Sequence, residues 1–333
     1  MASTRTVTAR PPHHEAGDTQ LSLSSRVPGW AHDAPLPQFL AQRFRYRDLD
    51  GWLEEIAAEK LQVDGRVASP TTRVQRGQSV TYTTEHREPE VDLEVPILFE
   101  DADLAVINKP ALLPCHADGT FVRHTLAYQL RQKLGKVSLV HRLDRETSGI
   151  MLIARNRKTQ RNLAEQFSQS AVEKTYLAVA GGQVDSDFTA DGAIGLASDS
   201  KISLRRAVVA DDAPEAQPAR TDFSVVRVLS DRTLLRCRPH TGRTHQIRVH
   251  LAAAGHPLLG DKLYGRSDEQ YLEFVHHVKA GGSPLFSPDG QPGRQMLHAT
   301  SLRFAHPTHS KPLFFEVDMP QDMQSEAPDD VGR

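Results

Sequence analysis

A polar, turn-rich run, His141-Arg142-Leu143-Asp144-Arg145-Glu146-Thr147-Ser148-Gly149, opens directly onto the apolar stretch Ile150-Met151-Leu152-Ile153-Ala154. An apolar run of that length predicts a buried strand. The charged loop ahead of it is then anchored to rigid scaffold, where a side chain can be held still at the mouth of a cleft. Neighbours for the strand are plentiful. Strand-like runs lie at 95–99, 104–107, 174–179, 221–225, 233–238, 302–304 and 313–315. Between them, Leu126, Leu130 and Leu134 mark a helix that stops at Gly135, and Asn156 begins another with Leu163, Ala164 and Phe167 inward. Ile247, Leu251 and Ala254 also have helical spacing, with Arg248 on a neighbouring face.

A chain of 333 residues suits about two domains. Residues 1–34 mix Thr, Pro, His, Asp and Ser without apolar periodicity and are expected to be a flexible tail. Arg5 and Arg10 are not followed by an apolar segment, and Glu15 and Asp18 do not suit a transit peptide, so no targeting segment is expected. Residues 35–88 read as a small module. Phe39, Leu40 and Phe44 predict one short helix, Trp52, Leu53 and Ile56 a second, and Asp64-Gly65 a hairpin turn in which both residues tolerate positive φ. Two helices and a hairpin carrying Arg66, Arg73 and Arg76 resemble the alpha-L RNA-binding motif. A charged linker, 85–94, leads into a large domain over 94–320, and 321–333 again reads as flexible tail.

Composition excludes several classes. No stretch approaches the ~20 apolar residues of a membrane-spanning helix, so no membrane partner is expected. The two cysteines, Cys115 and Cys237, stand far apart without a CxxC pair, which argues against a disulfide framework and for a reducing, cytoplasmic compartment. There is no Gly-rich dinucleotide loop, no Walker loop and no HExxH, so no cofactor is expected. His240, His245 and His250 recur every five residues, but that spacing scatters side chains around a helix, and no metal is expected there. The net charge of -2 hides local basic clusters: Arg236, Arg238, Arg243 and Arg248 in one stretch, and Lys201, Arg205 and Arg206 in another. Such clusters supply salt-dependent attraction to phosphates.

The run at 141–149 resembles the signature of the RluA-type pseudouridine synthases. Asn108-Lys109-Pro110, Lys174-Thr175-Tyr176, the block at 241–248, Gly260-Asp261-Lys262-Leu263-Tyr264-Gly265 and Leu297-His298-Ala299 follow in the family's order. Together they span about 94–320, and the front module also suits the family. One departure is Pro114-Cys115-His116-Ala117, where the family's pattern has a second proline after the histidine; this leaves the subfamily and the target nucleotide open.

The resemblance implies an α+β fold, a mixed and largely antiparallel sheet flanked by helices with the active cleft across it. It implies a monomeric, cofactor-independent RNA pseudouridine synthase acting on structured RNA, ribosomal or transfer, with large-subunit ribosomal RNA favoured. Asp144 is the implied nucleophile, attacking either the anomeric carbon or the uracil ring, as carboxylates do at sugar carbons in retaining glycosidases. Arg248 is the implied partner that keeps Asp144 ionised, with Arg243 competing for that part. Tyr176 would stack on the uracil and can exchange a proton. Arg142 could fill the space left by the flipped base, and Arg243, His141 and Lys109 are further implied substrate ligands. Three rivals compete: a metal hydrolase built on the spaced histidines, a glycosidase using Asp144 and Glu146, and an inactive RNA-binding or ribosome-assembly protein.

Overall fold

The computed structural model describes residues 19–328 except Arg87, Gly281 and Pro288. They fall into two compact units divided between Glu90 and Val91.

The first unit runs β1 (Thr19–Arg26), β2 (Ala34–Pro35), α1 (Leu36–Arg43), α2 (Leu49–Ala57), β3 (Leu61–Val63), β4 (Arg66–Val67), β5 (Arg73–Val74) and β6 (Ser79–His86). Both helices lie where the aromatic spacing puts them, and Asp48 caps α2 by accepting from Gly51 N. Asp64 and Gly65 turn β3 into β4 with φ of 48° and 78°. Trp52, Phe39, Leu36 and Leu61 lie fully buried in a core that belongs to this unit alone. The expectation of a flexible 1–34 is corrected from residue 19 onward; residues 1–18 lie outside the described residues. β1 pairs with β6 along its whole length, because Leu21 alternates with polar neighbours and reaches the core while Ser22 and Ser24 face outward to Thr83 and Ser79. Of the three arginines around the hairpin, Arg73 is tied to Asp33 at 2.9 Å, whereas Arg66 and Arg76 are exposed.

The second unit runs β7 (Ile97–Glu100), β8 (Leu104–Lys109), α3 (Leu126–Leu134), β9 (Ser138–Leu139), β10 (Ser148–Ala154), α4 (Arg157–Ser168), β11 (Glu173–Gly181), β12 (Phe188–Asp191), β13 (Ile194–Leu196) and β14 (Arg206–Val208). It continues through β15 (Arg220–Val228), β16 (Arg232–Pro239), α5 (Gln246–Ala253), α6 (Asp268–Lys279), β17 (Leu297–Ala305), β18 (Pro312–Glu316) and α7 (Gln321–Glu326). The fold is the expected α+β. Its main sheet has the order β12-β15-β16-β11-β17-β10-β8-β7, with β18 added beside β17 and β9 beside β10. Strand β10, buried along its entire length, is central, and its short pairing with β17 is parallel where the other pairs are antiparallel. Apolar clusters cover both faces, one with α3 and one with α4.

The C-terminal expectation is corrected too. Within 321–333, the described residues form α7, which buries Met323, followed by a buried Ala327, against Val179, Leu234 and Met296. Arg294 pairs with Asp322 and Arg232 with Glu326, fastening the helix to the sheet. Residues 329–333 lie outside the described residues.

Candidate active site

The loop between β9 and β10 is fixed from behind before any of its side chains faces a cavity. Lys109, 0% exposed, donates to the carbonyls of Pro110, Leu113 and Arg145 at 2.8, 2.8 and 3.1 Å. Arg294 donates to the Glu146 carbonyl at 3.2 Å, and Gln295 donates to Thr147 Oγ1 at 2.7 Å. Where the loop enters β10, Gly149 has φ of 117°, and a Cβ there would lie 2.2 Å from the Ala299 carbonyl oxygen. Only glycine allows that approach of β10 to β17.

Asp144 projects from this loop into a cavity of about 440 Å³ lined also by Arg142, Lys174, Tyr176, Arg243 and Arg248. That is an ordinary size for a small-molecule site. Arg248, on α5 and only 7% exposed, donates from Nη1 to Asp144 Oδ2 at 2.8 Å. Its other edge is clamped by Asp261: Nε donates to Oδ2 at 2.7 Å and Nη2 to Oδ1 at 2.8 Å. Asp261 Oδ1 in turn accepts from the backbone N–H groups of Leu263 and Tyr264. The guanidinium lies 4.9 Å from the Tyr264 ring centroid. So Arg248 rather than Arg243 is the nearest cation to Asp144; Arg243 lines the same cavity and donates to the Pro218 carbonyl.

The electrostatics follow from that chain of contacts. Burial alone pushes the Asp144 carboxyl up, but Arg248 and the nearby His245 outweigh it and leave the group at about 2. Burial likewise works against the charge on Arg248, and Asp261 and Asp144 reverse the effect and raise its pKa. His245 lies with Nε2 3.8 Å from Asp144 Oδ1. Its pKa is lowered to about 4, chiefly by burial, so it is neutral near pH 7 and shares a hydrogen bond with Tyr264 Oη at 2.8 Å. Burial first, and Asp144 second, raise Tyr176, which therefore faces the carboxylate as a protonated phenol.

Two residues expected to be substrate ligands, Lys109 and His141, have internal hydrogen-bond partners. The Lys109 ammonium is spent on backbone carbonyls, because a long aliphatic stem at the end of β8 carries it into the core behind the loop. His141 borders the cavity, but its Nε2 accepts from Leu152 N at 3.0 Å and its ring packs 4.6 Å from Phe167. Burial lowers its pKa to about 3, so it acts as a neutral brace on β10. Arg142 remains exposed at the cavity rim.

The rival readings meet specific obstacles. Glu146, the second carboxylate of the glycosidase reading, is buried with Lys262 at 3.2 Å and Arg145 at 3.0 Å and accepts from Gln295 N. It does not line the cavity. The spaced histidines diverge: His240 pairs with Asp222, His245 faces Asp144 and Tyr264, and His250 contacts Thr221 and the Gly192 carbonyl.

On this mixed sheet the cavity brings together one ionised carboxylate, an arginine that secures it and a tyrosine, and the comparisons place such a chain among RNA-modifying isomerases. The match to known proteins makes the assignment specific. The family model described as RNA pseudouridylate synthase matches residues 103–253, and the chain belongs to the RluA-type pseudouridine synthases. It is therefore an RNA pseudouridine synthase, an isomerase. "Ribosomal large subunit pseudouridine synthase D" of Nitrosomonas europaea is 34% identical over 96% of this chain and 91% of its own. The protein of that name from Escherichia coli O6:H1 is 33% identical over 86% and 88%. Among solved structures, "Human RNA Pseudouridylate Synthase Domain Containing 1" superposes with a TM-score of 0.54 at 28% identity, covering 69% of this chain and 86% of that one.

Three residues of the cradle went unassigned in the sequence reading: Asp261, His245 and Gln295, the last with Nε2 3.4 Å from Asp144. Asp261 and His245 stand inside blocks that the family shares, so their signal was position within a motif. Gln295 lies outside those blocks, and a polar residue before a strand has no distinguishing pattern.

Proposed function

We propose that this enzyme isomerises a uridine in large-subunit ribosomal RNA, with Asp144 as nucleophile and no metal or cofactor. The observation that carries the reading is the ionised Asp144 held by Arg248 inside a cavity large enough for a nucleoside base. The reaction breaks the bond from ribose C1′ to uracil N1, turns the base, and joins C1′ to C5. The proton on C5 is lost and N1 gains one, so no electrons are exchanged. Asp144 attacks the anomeric carbon or the ring. Arg248 keeps it charged in a water-poor site, Tyr176 supports the uracil and carries a proton near C5, and Arg142 fills the stack after the base is flipped. Arg243, at the cavity edge, is suited to a phosphate of the same nucleotide.

The names of the relatives support ribosomal over transfer RNA, and a ribosomal substrate implies work in the cytoplasm. We assign residues 35–88 as an alpha-L-type RNA-binding module on the strength of its helix pair, its Asp64-Gly65 hairpin and the exposed Arg66 and Arg76.

The test is to map pseudouridines in RNA from cells with and without the gene, then restore either the wild-type protein or Asp144→Asn. The expected result is a large-subunit position that loses its pseudouridine, regains it with wild-type protein and does not regain it with Asp144→Asn. Loss confined to transfer RNA would overturn the substrate. Restoration by Asp144→Asn would overturn the nucleophile.

A further inference from the structure

Beside the active cavity lies a second groove of about 550 Å³ that the chemistry does not use. It crosses neighbouring strands of the main sheet, β16, β11, β17 and β18. Alternation along β16 puts Cys237 into the core and leaves Arg236 and Arg238 together on the open face. On β18 the same alternation packs a half-buried Phe315 against Phe304 and leaves Phe314 49% exposed. Arg303 of β17 lies over the Phe314 ring, 4.9 Å from its centroid.

Three facts give this groove a direction and a charge. Ser170, Lys174 and Pro239 line both it and the active cavity, so the two are continuous. Of its acids, Glu173 is 3.5 Å from Arg303, and Glu316 is the other. Arg236 and Arg238 take part in none of the ion pairs or side-chain hydrogen bonds among the described residues. Two unneutralised guanidinium groups beside an exposed aromatic ring are the elements by which proteins hold single-stranded nucleic acid: cations along the backbone and a flat face for a base.

We propose that this groove carries the strand of substrate RNA adjoining the target uridine, with Arg236 and Arg238 on its phosphates and Phe314, backed by Arg303, under a neighbouring base. Lys174 stands at the junction. It donates to the Thr241 carbonyl at 3.0 Å, and burial first, then Arg243, lower its pKa to about 8. At that value the amine is still mostly protonated near pH 7 and can meet an arriving phosphate. The inference rests on the reading of Asp144 and its cavity as the reaction centre, because it places the strand by its continuity with that cavity.

The experiment uses the full chain and, as substrate, total RNA from cells lacking the gene, which contains the target whatever its class. Wild type, Arg236→Ala/Arg238→Ala and Phe314→Ala are compared in initial rate against RNA concentration and in salt dependence of RNA binding. For the double variant the expected result is a KM at least tenfold higher with kcat held. Its salt slope should be flatter by about 1.4, the contribution of two phosphate contacts to a single strand. Phe314→Ala should raise KM with an unchanged salt slope, since stacking releases no counterions. A double variant with wild-type KM and salt slope would overturn the groove, as would a fall in kcat alone. Turnover by Asp144→Asn in the same assay would overturn the reaction centre instead.

Discussion

Arg248 occupies one position and makes two connections, and its consequences are clearest at the scale of single residues. Its three nitrogens are shared between Asp261 and Asp144, so Asp261 positions the proposed nucleophile, Asp144, through a rigid planar group. Asp261→Asn removes a fully buried negative charge beside an equally buried guanidinium, a change expected to cost about 3–5 kcal/mol of stability. It should also loosen Arg248 and let the Asp144 carboxyl rise from about 2 toward its ordinary value. The sign follows. A lowered carboxyl pKa contributes stability that is present above about pH 4 and is lost as pH falls toward 2. In the variant, the acid limb of the kcat/KM profile should move upward by a unit or more, and an unmoved limb would show that Asp261 merely packs. Asp144, Arg248 and Tyr176 stand in distinctive blocks of the sequence, and the structure brings the three to one cavity. The sequence could not pair Arg248 with Asp261, because the contact depends on Gly260 turning with φ of 72° against the Arg294 carbonyl. Lys109 and His141 suit RNA by side-chain type, and sequence could not show that both also bond to the backbone around the loop and β10.

At the scale of elements, the parallel contact between β10 and β17 holds the reactive loop in place. Gly149→Ala would bring a methyl group against backbone atoms that cannot swing aside, at a φ that disfavours L side chains. The expected loss is roughly 3 kcal/mol or more, read from the urea midpoint, with activity falling in parallel. A wild-type midpoint would mean that β17 yields easily. Helix α7 offers a second test. Ending the chain after Pro320 removes Met323 and Ala327, both fully buried, and leaves Arg294 without Asp322. The melting temperature should drop by several degrees, whereas removal of a flexible tail would leave it unchanged. Both β1 and α7 escaped the sequence reading because their apolar signal is sparse. Leu21 in β1 and Met323 with Ala327 at a four-residue spacing are all that faces the core, and polar neighbours dilute them below what periodicity detects. The strands and helices around 94–320 were readable because their apolar residues come in runs or full stripes.

For the whole molecule, the decisive fact is that each unit has its own core. The first encloses Trp52 and Phe39, and the second is organised around β10. Removing residues 19–90 should therefore leave a folded catalytic unit, with an unchanged circular-dichroism signature per residue of retained structure. RNA affinity should weaken and its salt dependence flatten, since Arg66 and Arg76 go with the deleted part. Equal affinity and salt slope would demote the front unit to a structural role. Its separate core has a consequence for how the enzyme finds and leaves its target. With the front unit gripping RNA as proposed, two grips joined by one chain would act as a bivalent ligand: once either holds the RNA, the other meets it at a high effective concentration. The intact enzyme should then bind far more tightly than the two halves supplied separately, and the free front unit should compete poorly against it. Release can proceed one grip at a time, so tight holding need not mean slow departure.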